Sequence, residues 1–63
     1  MRNDIRTLRK SKGLRQEDLA KITGVTRQTI IAVENDRYNP SLELAMKISK
    51  ELGKTVEEVF FLE

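Results

Sequence analysis

Apolar residues recur along the chain at spacings of three and four, and glycines or polar clusters interrupt them at short intervals, the pattern of several short helices. Ile5 and Leu8 share one face of a first helix over 3–12, with Asn3 or Asp4 as its N-cap and Gly13 just past its end. A second helix spans 16–23, with Leu19, Ala20 and Thr23 on one side and Glu17 and Asp18 in the first turn, where acids suit the helix dipole. Gly24 stops it. Thr26 caps a third helix over 27–35, whose Ile30 and Val33 face inward, and residues 35–40 form a turn-rich loop. A fourth starts near Ser41, with Pro40 able to open it, and runs to Leu52 with Leu44, Ala45, Ile48 and Leu52 inward. Thr55-Val56-Glu57-Glu58 has capping-box spacing and begins a short fifth helix. The expected fold is therefore all-α, with five short helices in a single domain over 1–63.

Function concentrates between Gln16 and Asn35. Two short helices meet across a turn holding Gly24, a residue that takes positive φ at no steric cost. Ala20 permits a close helix approach, and Leu19, Val25, Ile30 and Val33 form an apolar seam between the pair. This is a helix-turn-helix formed by helices two and three, whose second helix suits a DNA major groove. With Ile30 and Val33 inward, Arg27, Gln28, Ile31 and Ala32 lie toward the opposite face or its edges. Arg bonds guanine O6 and N7 bidentately, Gln bonds adenine N6 and N7, and the Ala32 methyl suits thymine. Ile31 either does the same or is an isolated surface apolar residue of the common kind that needs no function.

Composition narrows the chemistry. The 63 residues contain no Cys and no His, which removes thiol and imidazole nucleophiles, disulfides and the usual zinc sites. No pair among Glu43, Glu51, Glu57 and Glu58 has a neighbouring base, so no enzymatic activity, metal or cofactor is expected. Residues 1–37 carry nine Lys/Arg against five Asp/Glu, or +4, whereas residues 38–63 carry three against five, or −2. A basic half points to an anionic partner. No signal peptide or bilayer-spanning run is visible, so a soluble, cytoplasmic protein is expected, with no membrane partner and no small-molecule effector.

The segments Gly13-Leu14-Arg15-Gln16-Glu17-Asp18-Leu19-Ala20, Thr23-Gly24-Val25-Thr26-Arg27-Gln28-Thr29-Ile30 and Val33-Glu34-Asn35, continued by Arg37-Tyr38-Asn39-Pro40-Ser41-Leu42-Glu43-Leu44-Ala45, closely resemble the phage-repressor and Cro family of xenobiotic-response-element type. The resemblance is to small stand-alone members and implies a lambda-repressor-like DNA-binding domain. It implies that Arg27 and Gln28 read bases, with Ala32 where relatives often place a longer reader. Gln16 would bond a phosphate and brace helix three. Arg15, Thr26, Asn35, Arg37, Tyr38, Asn39 and Ser41 would follow the DNA backbone, Tyr38 with an equally open alternative of packing over its loop. An ion pair between Arg9 and Glu34 would tie helix one to helix three, while Arg2, Arg6, Lys10 and Lys12 form a solvated face. Two positions depart from the family: Arg15 stands where a Thr or Ser cap is usual, and Asp36 replaces a common Gly.

The end of the chain poses a second question. Phe60, Phe61 and Leu62 cannot all face inward from one helical turn. Either this segment is a short extended strand or a second copy covers the surplus, and a homodimer contact over 55–63 is the preferred arrangement. The expected function is a sequence-specific, homodimeric regulator of transcription on double-stranded DNA, a repressor rather than an activator. The alternative is an antitoxin-like or accessory module that uses the same fold to bind another protein.

Overall fold

The computed structural model describes residues 1–62. In chain order it contains β1 (Arg2–Asn3), α1 (Ile5–Ser11), α2 (Gln16–Thr23), α3 (Arg27–Glu34), α4 (Leu42–Glu51), α5 (Val56–Val59) and β2 (Phe60–Phe61). The five expected helices are present, and their starts follow local chemistry. Thr26 and Ser41 accept the N–H groups of Thr29 and Leu44 at 3.2 and 3.1 Å, satisfying donors that the first turn leaves open. Pro40 precedes the Ser41 cap and lies outside α4, correcting its expected place as an opening residue. Arg15 caps α2 without a side-chain bond, since a guanidinium has no acceptor, and the Asp18 carboxylate instead takes the Arg15 N–H at 2.8 Å.

At α5 the capping box closes both ways: Thr55 Oγ1 accepts the Glu58 N–H at 3.2 Å, and Glu58 Oε1 accepts the Thr55 N–H at 2.9 Å. These bonds, the backbone one foremost, hold the Glu58 carboxyl below its ordinary value near 4.5, with the charge of Lys54 adding to them. The ionised form is the one the fold favours. Its stabilisation is therefore present above the unfolded value and is lost as pH falls through the lower folded value. A carboxyl-detected NMR titration is expected to place the Glu58 midpoint below 4.5. Glu58→Gln should remove that part of the acid-limb pH dependence, and a midpoint at or above the ordinary value would contradict it.

The core is formed by Ile5, Leu19, Ala20, Ile30, Val33, Leu44, Ala45, Ile48, Leu52, Val59 and Phe60, with Leu8, Leu14, Val25 and Val56 packed at its edges. β1 and β2 pair antiparallel, Arg2 opposite Phe61 and Asn3 opposite Phe60, and the Asp4 N–H continues the pairing to the Val59 carbonyl at 2.9 Å. The extended segment expected as one alternative at the C-terminus is thus real. Its partner is the start of the chain: residues 3 and 4 lie outside helix one, contrary to the expected span, and α1 begins at Ile5.

Side chains alternate across a strand, and this separates the three terminal apolar residues. Phe60 is 6% exposed and belongs to the chain's own core, so it is not free for the expected dimer contact, whereas Phe61 is half-buried and Leu62 is 92% exposed.

Candidate nucleic-acid interface

α2 ends at Thr23, whose hydroxyl is buried and donates to the Leu19 carbonyl at 2.7 Å. The turn then needs Gly24 for its φ of +78°; a β-carbon there would meet no atom within 4 Å, so conformation and not crowding selects glycine. Ala20, Leu19, Ile30 and Val33 are buried and Val25 is packed at the core edge, which joins α2 to α3 along the seam. α3 presents its first two residues, Arg27 and Gln28, to solvent, while Ile31 and Ala32 are half-buried beside them. Among the described residues, neither Arg27 nor Gln28 makes a side-chain hydrogen bond or ion pair within the chain.

The other end of α3 is anchored. Arg9 Nε donates to Glu34 Oε2 at 2.8 Å and Arg9 Nη2 to Oε1 at 3.3 Å, a bidentate pair whose side chains are 8% and 0% exposed. Arg9 Nη1 donates to the Leu14 carbonyl at 2.8 Å, and Gln16 Nε2 donates to Glu34 Oε1 at 3.2 Å. One carboxylate therefore collects bonds from α1 and α2. Gln16 is oriented by this contact and keeps its carbonyl and a second N–H for other partners. Arg6 is not simply solvated, as expected for it: its Nε lies 3.6 Å from Glu34 and its Nη2 donates to Asn35 Oδ1 at 3.0 Å.

An open cleft of about 430 Å³ runs between the starts of α2 and α3, lined by Arg9, Leu14, Arg15, Gln16, Glu17 and Arg27. Arg15 and Arg27 bring positive charge to it at the starts of α2 and α3, which favours anions, while Arg9 is already paired with Glu34 and Glu17 adds one carboxylate. The 3.6 Å contact of Arg15 with Glu17 is solvent-exposed and too weak to hold either group.

The loop from Asn35 to Ser41 borders the far end of α3. Asn35, Arg37, Tyr38, Asn39 and Ser41 are all exposed. Asn39 Oδ1 accepts the Met1 ammonium at 3.2 Å, and Ser41 Oγ serves as the α4 cap while its own proton stays available. Thr26 is similarly occupied as an acceptor and lies 3.1 Å from the Thr29 hydroxyl. The turn that replaces the family's common glycine falls on Asp36, at φ +59°. Sequence reasoning missed Asn3: its amide reaches both the Val33 carbonyl and the Asp36 carboxylate. Its spacing to Ile5 marks only a cap, and nothing local announces the two distant bonds.

A helix-turn-helix family model matches residues 5–59, from the first turn of α1 to the end of α5. The chain belongs to this helix-turn-helix family. It is 55% identical over 64 residues to an uncharacterized HTH-type transcriptional regulator of Methanothermobacter thermautotrophicus, covering all of this chain and 93% of that one. To another from Methanocaldococcus jannaschii it is 51% identical over 63 residues, covering 100% and 96%. Among solved structures, the restriction-modification controller protein C.AhdI of Aeromonas hydrophila superposes with a TM-score of 0.81 at 38% identity, over 89% of this chain and 85% of that one. The DNA-binding domain of the P22 c2 repressor gives 0.79 at 32% identity, over 84% and 70%. The clp gene regulator ClgR of Corynebacterium glutamicum gives 0.80 at 28% identity, but the 86% of this chain that aligns spans only 57% of that protein. These proteins are named for regulation or DNA binding, not for catalysis. Among the described residues, no cluster of acids is placed to hold a metal ion, and no helix is long and apolar enough to cross a membrane.

Proposed function

We propose that this protein is a sequence-specific, double-stranded DNA-binding regulator of transcription that works as a homodimeric repressor. The observation that carries this reading is the contrast between the two ends of α3. Glu34 is locked into the domain, while Arg27 and Gln28 are exposed at the solvent end with no side-chain partner among the described residues. Rigid support behind free base-reading groups is what groove recognition requires. Arg27 and Gln28 read base edges, with the methyls of Ala32 and Ile31 beside them. Gln16 and Arg15 hold one stretch of phosphates at the cleft, and Thr26, Asn35, Arg37, Tyr38, Asn39 and Ser41 hold another. The relatives named as transcriptional regulators and the resemblance to the P22 c2 DNA-binding domain support this assignment.

Dimension argues for two copies. The domain measures 27 Å along its longest axis and carries one such helix, whereas half-sites one DNA turn apart are about 34 Å from centre to centre. A palindromic site therefore needs a second chain, and exposed Leu62 with half-buried Phe61 offers apolar surface for the contact.

Selection from a random duplex library is expected to enrich a palindrome bound by two chains. The affinity for it should fall with salt at a log–log slope of about −5 to −9, for roughly 6–10 phosphate contacts. A slope near zero, or no binding to any duplex at low salt, would favour the protein-interaction module instead.

A further inference from the structure

Asp36 is the residue other than glycine with positive φ among the described residues, at +59°. It occupies the left-handed position just past α3: the Asp36 N–H reaches the Val33 carbonyl at 3.2 Å and the Arg37 N–H reaches the Ala32 carbonyl at 2.9 Å. A glycine takes this place without strain, whereas a residue with a β-carbon needs its surroundings to hold it. Those surroundings come from outside the helix-turn-helix. Asn3 Nδ2, in β1, donates to the Val33 carbonyl at 2.9 Å and to Asp36 Oδ1 at 3.0 Å, and Asn3 Oδ1 accepts the Ile5 N–H at 3.1 Å. Both amide protons and the amide oxygen are used, so the side chain has one orientation. It also draws the Asp36 carboxylate toward β1. One residue earlier, Arg6 binds Asn35 Oδ1 and leaves the Asn35 N–H₂ group as a donor.

We propose that Asn3 is a positioning residue for the DNA backbone contact. By pinning Val33 and Asp36 it holds the turn that aims the donors of Asn35 and Arg37 at a phosphate, and it makes the terminal strand pair a working part of the interface. This rests on the DNA-binding reading above. It concerns affinity for the backbone and not the choice of bases, which is made at the other end of α3.

The test is a cycle of wild type, Asn3→Ala, Asp36→Gly and the double variant. Each is titrated with the selected duplex and with random duplex over a range of salt, at a temperature where circular dichroism shows all four folded. Asn3→Ala is expected to weaken both duplexes by about tenfold, the loss of one hydrogen-bonded contact, and to reduce the salt slope by about one per bound copy. In the Asp36→Gly background the same change should cost less than about twofold, because glycine holds the turn unaided. Asn3→Asp keeps the acceptor for Ile5 but has no donors and repels Asp36, so it should lose at least as much affinity even if Asn3→Ala fails to fold. A variant with lowered Tm but unchanged affinity and salt slope would overturn the proposal. So would an equal loss in both backgrounds, or an altered base preference. If wild type binds no duplex, the DNA-binding reading itself falls and takes this one with it. Binding by wild type with an indifferent Asn3 removes this proposal alone.

Discussion

Replacing Glu34 with alanine is expected to destabilise the domain by about 3–5 kcal/mol, the usual result of leaving one member of a buried ion pair without its partner. The Glu34 side chain is 0% exposed and accepts from Arg9 Nε, Arg9 Nη2 and Gln16 Nε2. Without it, a guanidinium that is 8% exposed keeps only the Leu14 carbonyl and the water that enters the cavity. For a domain of this size each kcal/mol moves Tm by roughly 4–8 °C, so the melting point should fall by more than about 12 °C. Replacing both members, Arg9→Met with Glu34→Leu, should cost less than Glu34→Ala alone. No charge is then stranded, and the Leu14 carbonyl and Gln16 amide, which both line the open cleft, keep access to water. Urea melts of the three proteins measure this order. A Glu34→Ala loss below about 1 kcal/mol would mean that the pair does not anchor α3.

Arg27→Ala carries the largest expected effect on recognition. If Arg27 reads a base, its loss costs about 1–3 kcal/mol per half-site and relaxes preference at a single base pair. Arg37→Ala should instead weaken all sequences about equally and lower the salt slope by about one per copy. The two outcomes separate cleanly in a selection repeated with each variant. The comparison matters because Arg27 also borders the cleft beside Arg15 and Gln16. Uniform loss on Arg27→Ala, with a shallower salt dependence, would make it a phosphate ligand and leave Gln28 as the base reader.

The departures from expectation share a pattern. α2 was legible to the residue, because Gln16, Asp18 and Gly24 act within one turn of where they sit. The cap at Thr26 was legible for the same reason. Asn3 was half legible: its bond to the Ile5 N–H spans two residues, while its bonds to Val33 and Asp36 span about thirty. Phe60 and Phe61 are identical in the sequence, and only pairing with Asn3 and Arg2 gives one to the core and leaves the other half-buried. Arg6 is one of several cations on helix one by sequence, and only the end of α3 beside it supplies Asn35 and Glu34.

Taken alone, the sequence determined the helices, the glycine corner at Gly24 and the free polar start of α3, because caps, turns and amphipathic faces are built from neighbours a few positions apart. Tertiary structure decided the terminal strand pair, the inward turn of Phe60, the grip of Asn3 on Asp36 and the reach of Arg6 to Asn35. Each of those depends on partners that local periodicity does not specify, and they meet only once the core has closed.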